Sequence, residues 1–175
     1  GGTISNCYNF GEIESSDYVG GIAGIDEGNI INCYNVANII ATSSRVGGIT
    51  GALTGKVENS YNIGKVSGDV NYKGAIVGAG AGNGLGLDGI KNCYYLIGTS
   101  AQPSQGSTDI IGQAEAKTGT FMKSSEFVNL LGNSNWKLVA GANNGYPILS
   151  WQNGTPITVN NYDIYWNGVL SNPIT

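Results

Sequence analysis

The chain has 175 residues, 12 of them acidic and 8 basic, for a net charge of −4. With Lys and Arg scattered singly, it carries no basic footprint for nucleic acid. It contains no His, which removes the commonest general base and metal ligand and any Ser–His or Cys–His nucleophile.

Charged residues are only 11% of the chain and Gly numbers 29, but 41% apolar content with ten Tyr and three Trp is enough to bury a core. No apolar run approaches the roughly 20 residues of a membrane-spanning helix. From the N-terminus one signature recurs. It reads Asn6-Cys7-Tyr8-Asn9, Asn32-Cys33-Tyr34-Asn35, Asn59-Ser60-Tyr61-Asn62 and Asn92-Cys93-Tyr94-Tyr95. A second element keeps step with it: Val19-Gly20-Gly21-Ile22-Ala23-Gly24, Val46-Gly47-Gly48-Ile49-Thr50-Gly51 and the degenerate Lys73-Gly74-Ala75-Ile76-Val77-Gly78. The period is 26 to 27 residues and stretches to 33 before the fourth signature. A fixed period of this size marks a repeat architecture.

Within the first repeat, residues 3–8, 11–14 and 18–25 are strand-like, which predicts about three short strands per repeat. Paired glycines interrupt any helical period. Apolar positions recur in register: Ile4, Ile30, Val57 and Ile90; then Ile13, Ile39 and Val66; then Ile22, Ile49 and Ile76. If each repeat makes one coil, these residues stack as ladders and build a core that no single repeat could hold. Asn6, Asn32, Asn59 and Asn92 are placed at bends, where Asn tolerates left-handed backbone and can hydrogen-bond to its equivalent in the next coil. Cys7, Cys33 and Cys93 share one position with Ser60, which suits a small inward side chain held as a reduced thiol; a Cys7–Cys33 bridge between neighbouring rungs is the alternative. Tyr8, Tyr34, Tyr61 and Tyr94 form a further ladder, pointing either inward or onto an outer face.

The fourth coil carries a Gly-rich insertion over residues 79–89. After residue 98 the composition changes, and residues 99–108 read as a loop rich in Ser, Gln and Pro. Residues 124–132 predict a short helix with Ser at its start and Gly past its end. Residues 136–139 and 146–151 predict two strands joined across Asn144-Gly145. This stretch, with Phe121, Phe127, Leu130, Leu131, Trp136 and Trp151, is predicted to cover one open end of the coil stack. The expected fold is therefore all-β: a parallel β-solenoid (β-helix) of about four coils over residues 1–98, then a small mixed helix and hairpin cap over residues 99–152. Residues 153–175 are expected to be a linker or the start of a following module. The sequence opens inside a repeat, which predicts a piece of a larger multidomain chain.

The pairing of Asn-Cys-Tyr-Asn-x-Gly with Val-Gly-Gly-Ile-x-Gly resembles the GLUG-motif repeats of bacterial surface proteins. Those repeats occur in large adhesin-like proteins and in non-catalytic regions of some immunoglobulin A peptidases. The run Asn143-Asn144-Gly145-Tyr146-Pro147-Ile148-Leu149-Ser150-Trp151-Gln152 is similar to the segment that closes such arrays. The resemblance covers residues 1–152, and departs at Ser60, at Lys73 and in the missing Gly-Gly element after the fourth signature. It implies an extracellular, bacterial cell-surface location and brings no catalytic residues.

Two motifs could carry chemistry. Gly84-Leu85-Gly86-Leu87-Asp88-Gly89 matches G-x-G-x-x-G, but a dinucleotide site needs a strand before it and a helix after it, and a β-type segment follows here. The same stretch has the form of a calcium-binding Gly-Asp turn, present once rather than in tandem, so calcium is a minor expectation and no cofactor is expected. The acids Asp17, Asp26, Glu27, Asp69, Asp88 and Asp109 do not stack in register and read as solvated turn residues; a glycan-cleaving β-helix would need two or more of them in one groove. Trp136, Trp151 and Trp166 are the candidates for stacking on sugar rings, against burial in the cap for the first two. The sequence thus predicts a non-catalytic structural or adhesive module, a spacer or a surface presented to a host or cell-surface protein or glycan. A carbohydrate-binding module is the alternative, and neither membrane insertion nor nucleic acid is expected.

Overall fold

A computed structural model describes residues 1–68, 72–80, 89–100, 102–104 and 107–153. It is mostly β, with parallel strands from successive repeats stacked rung upon rung. Five such columns follow one another along each repeat. Sheet A holds Thr3–Ser5, Asn29–Ile31, Lys56–Glu58 and Ile90–Lys91. Sheet B holds Tyr8–Asn9, Tyr34–Asn35, Tyr61–Asn62, Cys93–Leu96 and a fifth strand, Ala114–Lys117. Sheet C stacks Ile13–Ser15, Ile39–Ala41 and Val66–Ser67; sheet D stacks Val19–Gly20, Val46–Gly47 and Lys73–Gly74; sheet E stacks Ala23–Asp26, Thr50–Leu53 and Val77–Gly80. This arrangement is compatible with a β-helix or solenoid.

The registers join residues at equivalent places in the repeat. Ile4 pairs with Ile30, Ile30 with Val57 and Val57 with Ile90. Ile13, Ile39 and Val66 pair likewise in sheet C. Five strands per described repeat replace the three expected, for a local reason. Asn6, Asn32, Asn59 and Asn92 hold left-handed backbone, with φ of 54°, 54°, 49° and 49°, and each splits an expected strand into its sheet A and sheet B parts. A second break falls at Gly21-Ile22 and divides the expected third strand between sheets D and E.

Each sheet B strand sends alternate side chains to opposite faces. Cys33 and Cys93 face the interior with Ile30, Ile49, Val57, Ile76 and Ile90. Tyr34, Tyr61 and Tyr94 face the other way and are covered by the C-terminal part of the chain. A smaller cluster of Val19, Ile39, Ala41, Val46 and Val66 fills the corner of sheets C and D.

The C-terminal part does two things, where only an end cap was expected. It first closes an end. Thr99, Gln102 and Pro103 carbonyls accept from Val66, Ala75 and Ile76 N–H groups at 2.9, 2.8 and 3.0 Å, and Ala114–Lys117 adds a rung to sheet B beyond Cys93–Leu96. It then turns and lies along the side of sheet B. Helix α1 (Gly119–Met122) is capped by Thr118 and helix α2 (Ser125–Leu130) by Ser124, whose hydroxyl accepts from Phe127 N at 3.3 Å. Trp136–Lys137 pairs antiparallel with Ile148–Leu149. Met122, Phe127, Leu131, Trp136 and Leu149 bury against the tyrosines, while Leu130 points out to solvent. The lateral position follows from the apolar tyrosine face of sheet B, a larger area to cover than the end rung.

Candidate functional surface

The repeat residues are tied to each other before they are available to any ligand. The last Asn of each signature forms an internal amide ladder: Asn9 Nδ2 donates to Asn35 Oδ1, and Asn35 Nδ2 to Asn62 Oδ1, both at 2.8 Å. Each amide also donates to the carbonyl two residues on, at Gly11, Ala37 and Gly64. Glycine makes room for this ladder from across the coil. A Cβ on Gly21 would lie 2.7 Å from Asn35 Cγ, and one on Gly48 would fall closer still to the Asn62 amide. The Gly-Gly element and the Asn-Cys-Tyr-Asn signature are thus two halves of one packing arrangement. The first Asn of the signature contributes the bend, and Asn92 Nδ2 donates to Asn59 Oδ1 at 3.1 Å.

The thiol position is structural in repeats two to four. Cys33, Ser60 and Cys93 are fully buried, and each side chain donates to the carbonyl two residues earlier. Burial pushes the Cys33 and Cys93 thiols up to about 12. Cys7, in the first repeat, makes the same contact to Ser5 O at 3.2 Å but is exposed.

The tyrosine rings stack along the axis, Tyr8 on Tyr34 at 5.4 Å and Tyr34 on Tyr61 at 5.1 Å. The covering arm meets them edge-on: Phe127 contacts Tyr61 and Tyr94, and Trp136 contacts Tyr34 and Tyr61. Tyr61 OH donates to Pro147 O and accepts from Asn143 Nδ2 at 2.9 Å, and Tyr34 OH donates to Gln152 Oε1 at 2.9 Å. Desolvation raises all three buried tyrosines above the ordinary phenol range, Tyr94 to about 12.

Of the tryptophans singled out, Trp136 is buried and presents no free ring face. Trp151 is 57% exposed, 6.0 Å from the Tyr8 ring, and Tyr8 is itself 36% exposed with Phe10 edge-on at 4.9 Å. Trp166 lies outside the described residues. The exposed aromatic ledge therefore sits at the first repeat, where Trp151 from the arm reaches the end of the tyrosine stack. A second surface column, missed in the sequence because its members differ, runs Tyr18, Arg45 and Tyr72. The Arg45 guanidinium lies 4.9 Å from one ring centroid and 5.2 Å from the other. The shared signal was position: each precedes the first residue of a sheet D strand.

The acids are dispersed and used locally. The Ser44 hydroxyl, donating to Asp17, is the main influence holding that carboxyl below its usual range. Asp26 is buried, which raises it, and its Oδ1 accepts from Gly28 N at 3.2 Å. Asp109 anchors the end rung, accepting from Tyr95 OH at 2.6 Å and Ala116 N at 2.8 Å. Glu27 is exposed beside Asp26. Asp69, Asp88 and the glycine-rich 84–88 stretch, with its calcium expectation, lie outside the described residues. Among the described residues no three His, Cys, Asp or Glu side chains gather as a metal cluster, and no helix is long and apolar enough to cross a membrane.

No protein-family model matches this chain. No curated protein matches it either. It is similar to the crystal structure of a putative immunoglobulin A1 protease from Bacteroides ovatus, at 25% sequence identity with a TM-score of 0.52. The match covers 86% of this chain and 58% of that one, so the chain spans less than two thirds of that structure's length.

Proposed function

We propose that this chain is a non-catalytic β-solenoid module of the GLUG-repeat kind, belonging to a secreted or surface-attached bacterial protein. It acts as a stiff spacer or presents a face to a host or cell-surface partner. The observation that carries this reading is the use of the repeated residues. Asn, Cys, Tyr and Gly of the signatures hold one rung to the next or hold the covering arm, and the carboxylates Asp17, Asp26 and Asp109 are each engaged singly in turn or anchor contacts. Similarity to part of a chain named as a putative immunoglobulin A1 protease supports a module of a larger secreted protein, away from any catalytic centre. Incubation of the purified chain with polysaccharides and with immunoglobulin A should leave both intact. Release of sugars or peptide fragments, abolished by Asp26→Asn, would overturn the reading.

A carbohydrate-binding role is the second reading, favoured by one observation: the Trp151 ring is exposed beside Tyr8. A ring face of this kind stacks on the apolar face of a sugar. On a glycan array this reading expects binding that Trp151→Ala removes at unchanged stability. An array silent for the parent chain leaves the spacer role alone.

A further inference from the structure

Cys7 and Cys33 occupy equivalent positions on adjacent rungs of sheet B, immediately before the in-register pairs Tyr8–Tyr34 and Asn9–Asn35. Tyr34 N donates to Cys7 O at 3.1 Å, so the two backbones are bonded at this point. Both thiols point the same way, Cys7 Sγ to Ser5 O at 3.2 Å and Cys33 Sγ to Ile31 O at 3.4 Å, and Cys33 Sγ also reaches the first repeat at Ile4 O, 3.9 Å away. We infer that Cys7 and Cys33 are a disulfide-forming pair, which staples the exposed first rung to the second under oxidising conditions.

Three features support the pair. Rungs about 4.8 Å apart put the two Cα atoms within the roughly 4.4–6.8 Å range that a disulfide spans. Closing the bond needs the thiols to turn toward each other and the Cβ atoms to draw within about 4.5 Å. The first rung can move, because among the described residues it is paired on one side only. Cys7 is exposed and open to an oxidant, whereas Cys33 is shielded, so the reaction starts at Cys7. The next rung carries Ser60, whose Oγ accepts from Cys33 N at 3.0 Å, and this leaves Cys93 a full rung beyond reach of Cys33.

With a small disulfide such as oxidised glutathione, the Cys7 thiolate attacks one glutathione sulfur and expels a glutathione thiolate, giving a mixed disulfide. Cys33 then gives its proton to solvent, attacks the Cys7 sulfur and expels the second glutathione. Two protein thiols become one disulfide, and one oxidised glutathione becomes two reduced ones. The buried Cys33 thiol, pushed up to about 12, makes the second step the slow one. The pairing holds whether the module is a spacer or a glycan binder.

The test oxidises the full chain with glutathione disulfide at pH 8, blocks remaining thiols in denaturant and cleaves after glutamate. Glu12, Glu14 and Glu27 separate the two cysteines, so a bridge appears as residues 1–12 joined to residues 28–58. The expected result is loss of two of the three thiols, a mass about 2 Da lower, and this linked pair, absent in Cys7→Ser and Cys33→Ser. The serine variants fold, since Ser60 fills the same site in the third repeat. A glutathione adduct persisting on Cys7 with Cys33 free, or a Cys7–Cys7 dimer of two chains, overturns the pairing.

Discussion

Gly48 and Asn62 meet inside the repeat stack, and neither tolerates a change in the other's space. Gly48→Ala would drive a methyl into the Ala75 carbonyl and the Asn62 amide. Overpacking of this kind costs about 1–3 kcal/mol, and more where backbone is the obstacle, so the urea midpoint of Gly48→Ala should fall clearly while that of Gly2→Ala, with open space around it, stays put. Tyr61 offers a milder case. Tyr61→Phe keeps the ring stack and removes the hydroxyl between Pro147 O and Asn143 Nδ2, for an expected loss of about 1–2 kcal/mol in denaturant unfolding. The bend at Asn6 and its equivalents was legible in the sequence, because Asn is among the few residues that enter left-handed backbone readily. The role of Asn35 and Asn62 was not. Nothing in the spacing says that the amide and the second glycine of Gly-Gly converge across the coil, since that depends on where the chain folds back.

Sheet B is the element on which the two halves of the molecule meet, and its ionisation behaviour should show it. Tyr34, Tyr61, Tyr94, Cys33 and Cys93 all hold their protons more tightly when folded than their ordinary values near 10 and 9, chiefly through desolvation. Below about pH 9 both folded and unfolded chains keep these protons and stability is unaffected; above it the unfolded chain ionises first. Stability should therefore be flat through neutral pH and fall steeply from about pH 9 upward, read as a dropping thermal midpoint between pH 8 and 11. Trp136→Ala removes a ring packed against Tyr34 and Tyr61, and a loss of about 3–5 kcal/mol is expected. The strand Ala114–Lys117 escaped the sequence reading because Ala, Glu and Lys have poor strand propensity. Its pairing comes from the free edge of Cys93–Leu96, which the composition of residues 114–117 does not reveal. The helix at Ser125–Leu130 and the hairpin were readable, since their caps and turn are local signals.

At the scale of the whole molecule, the repeats and the arm share the aromatic cluster, so they should unfold together. Trp fluorescence, dominated in its change by buried Trp136, and far-UV circular dichroism should give coincident transitions. Two separated transitions would show that the arm detaches first. The repeat period and the ladders made the stacked parallel sheets readable from sequence, but the direction of the tyrosines was not, because a Tyr suits either face of a strand. The arm's path has one more consequence. Phe127 touches the rungs of Tyr94 and Tyr61, Trp136 those of Tyr61 and Tyr34, and Trp151 that of Tyr8, so the arm passes the repeats in reverse order. It works as a tally stick, with its aromatic notches cut for the number of rungs present. Duplicating one repeat would leave a tyrosine with no notch to meet it, and so this lineage can lengthen its stack only by lengthening its arm in the same step.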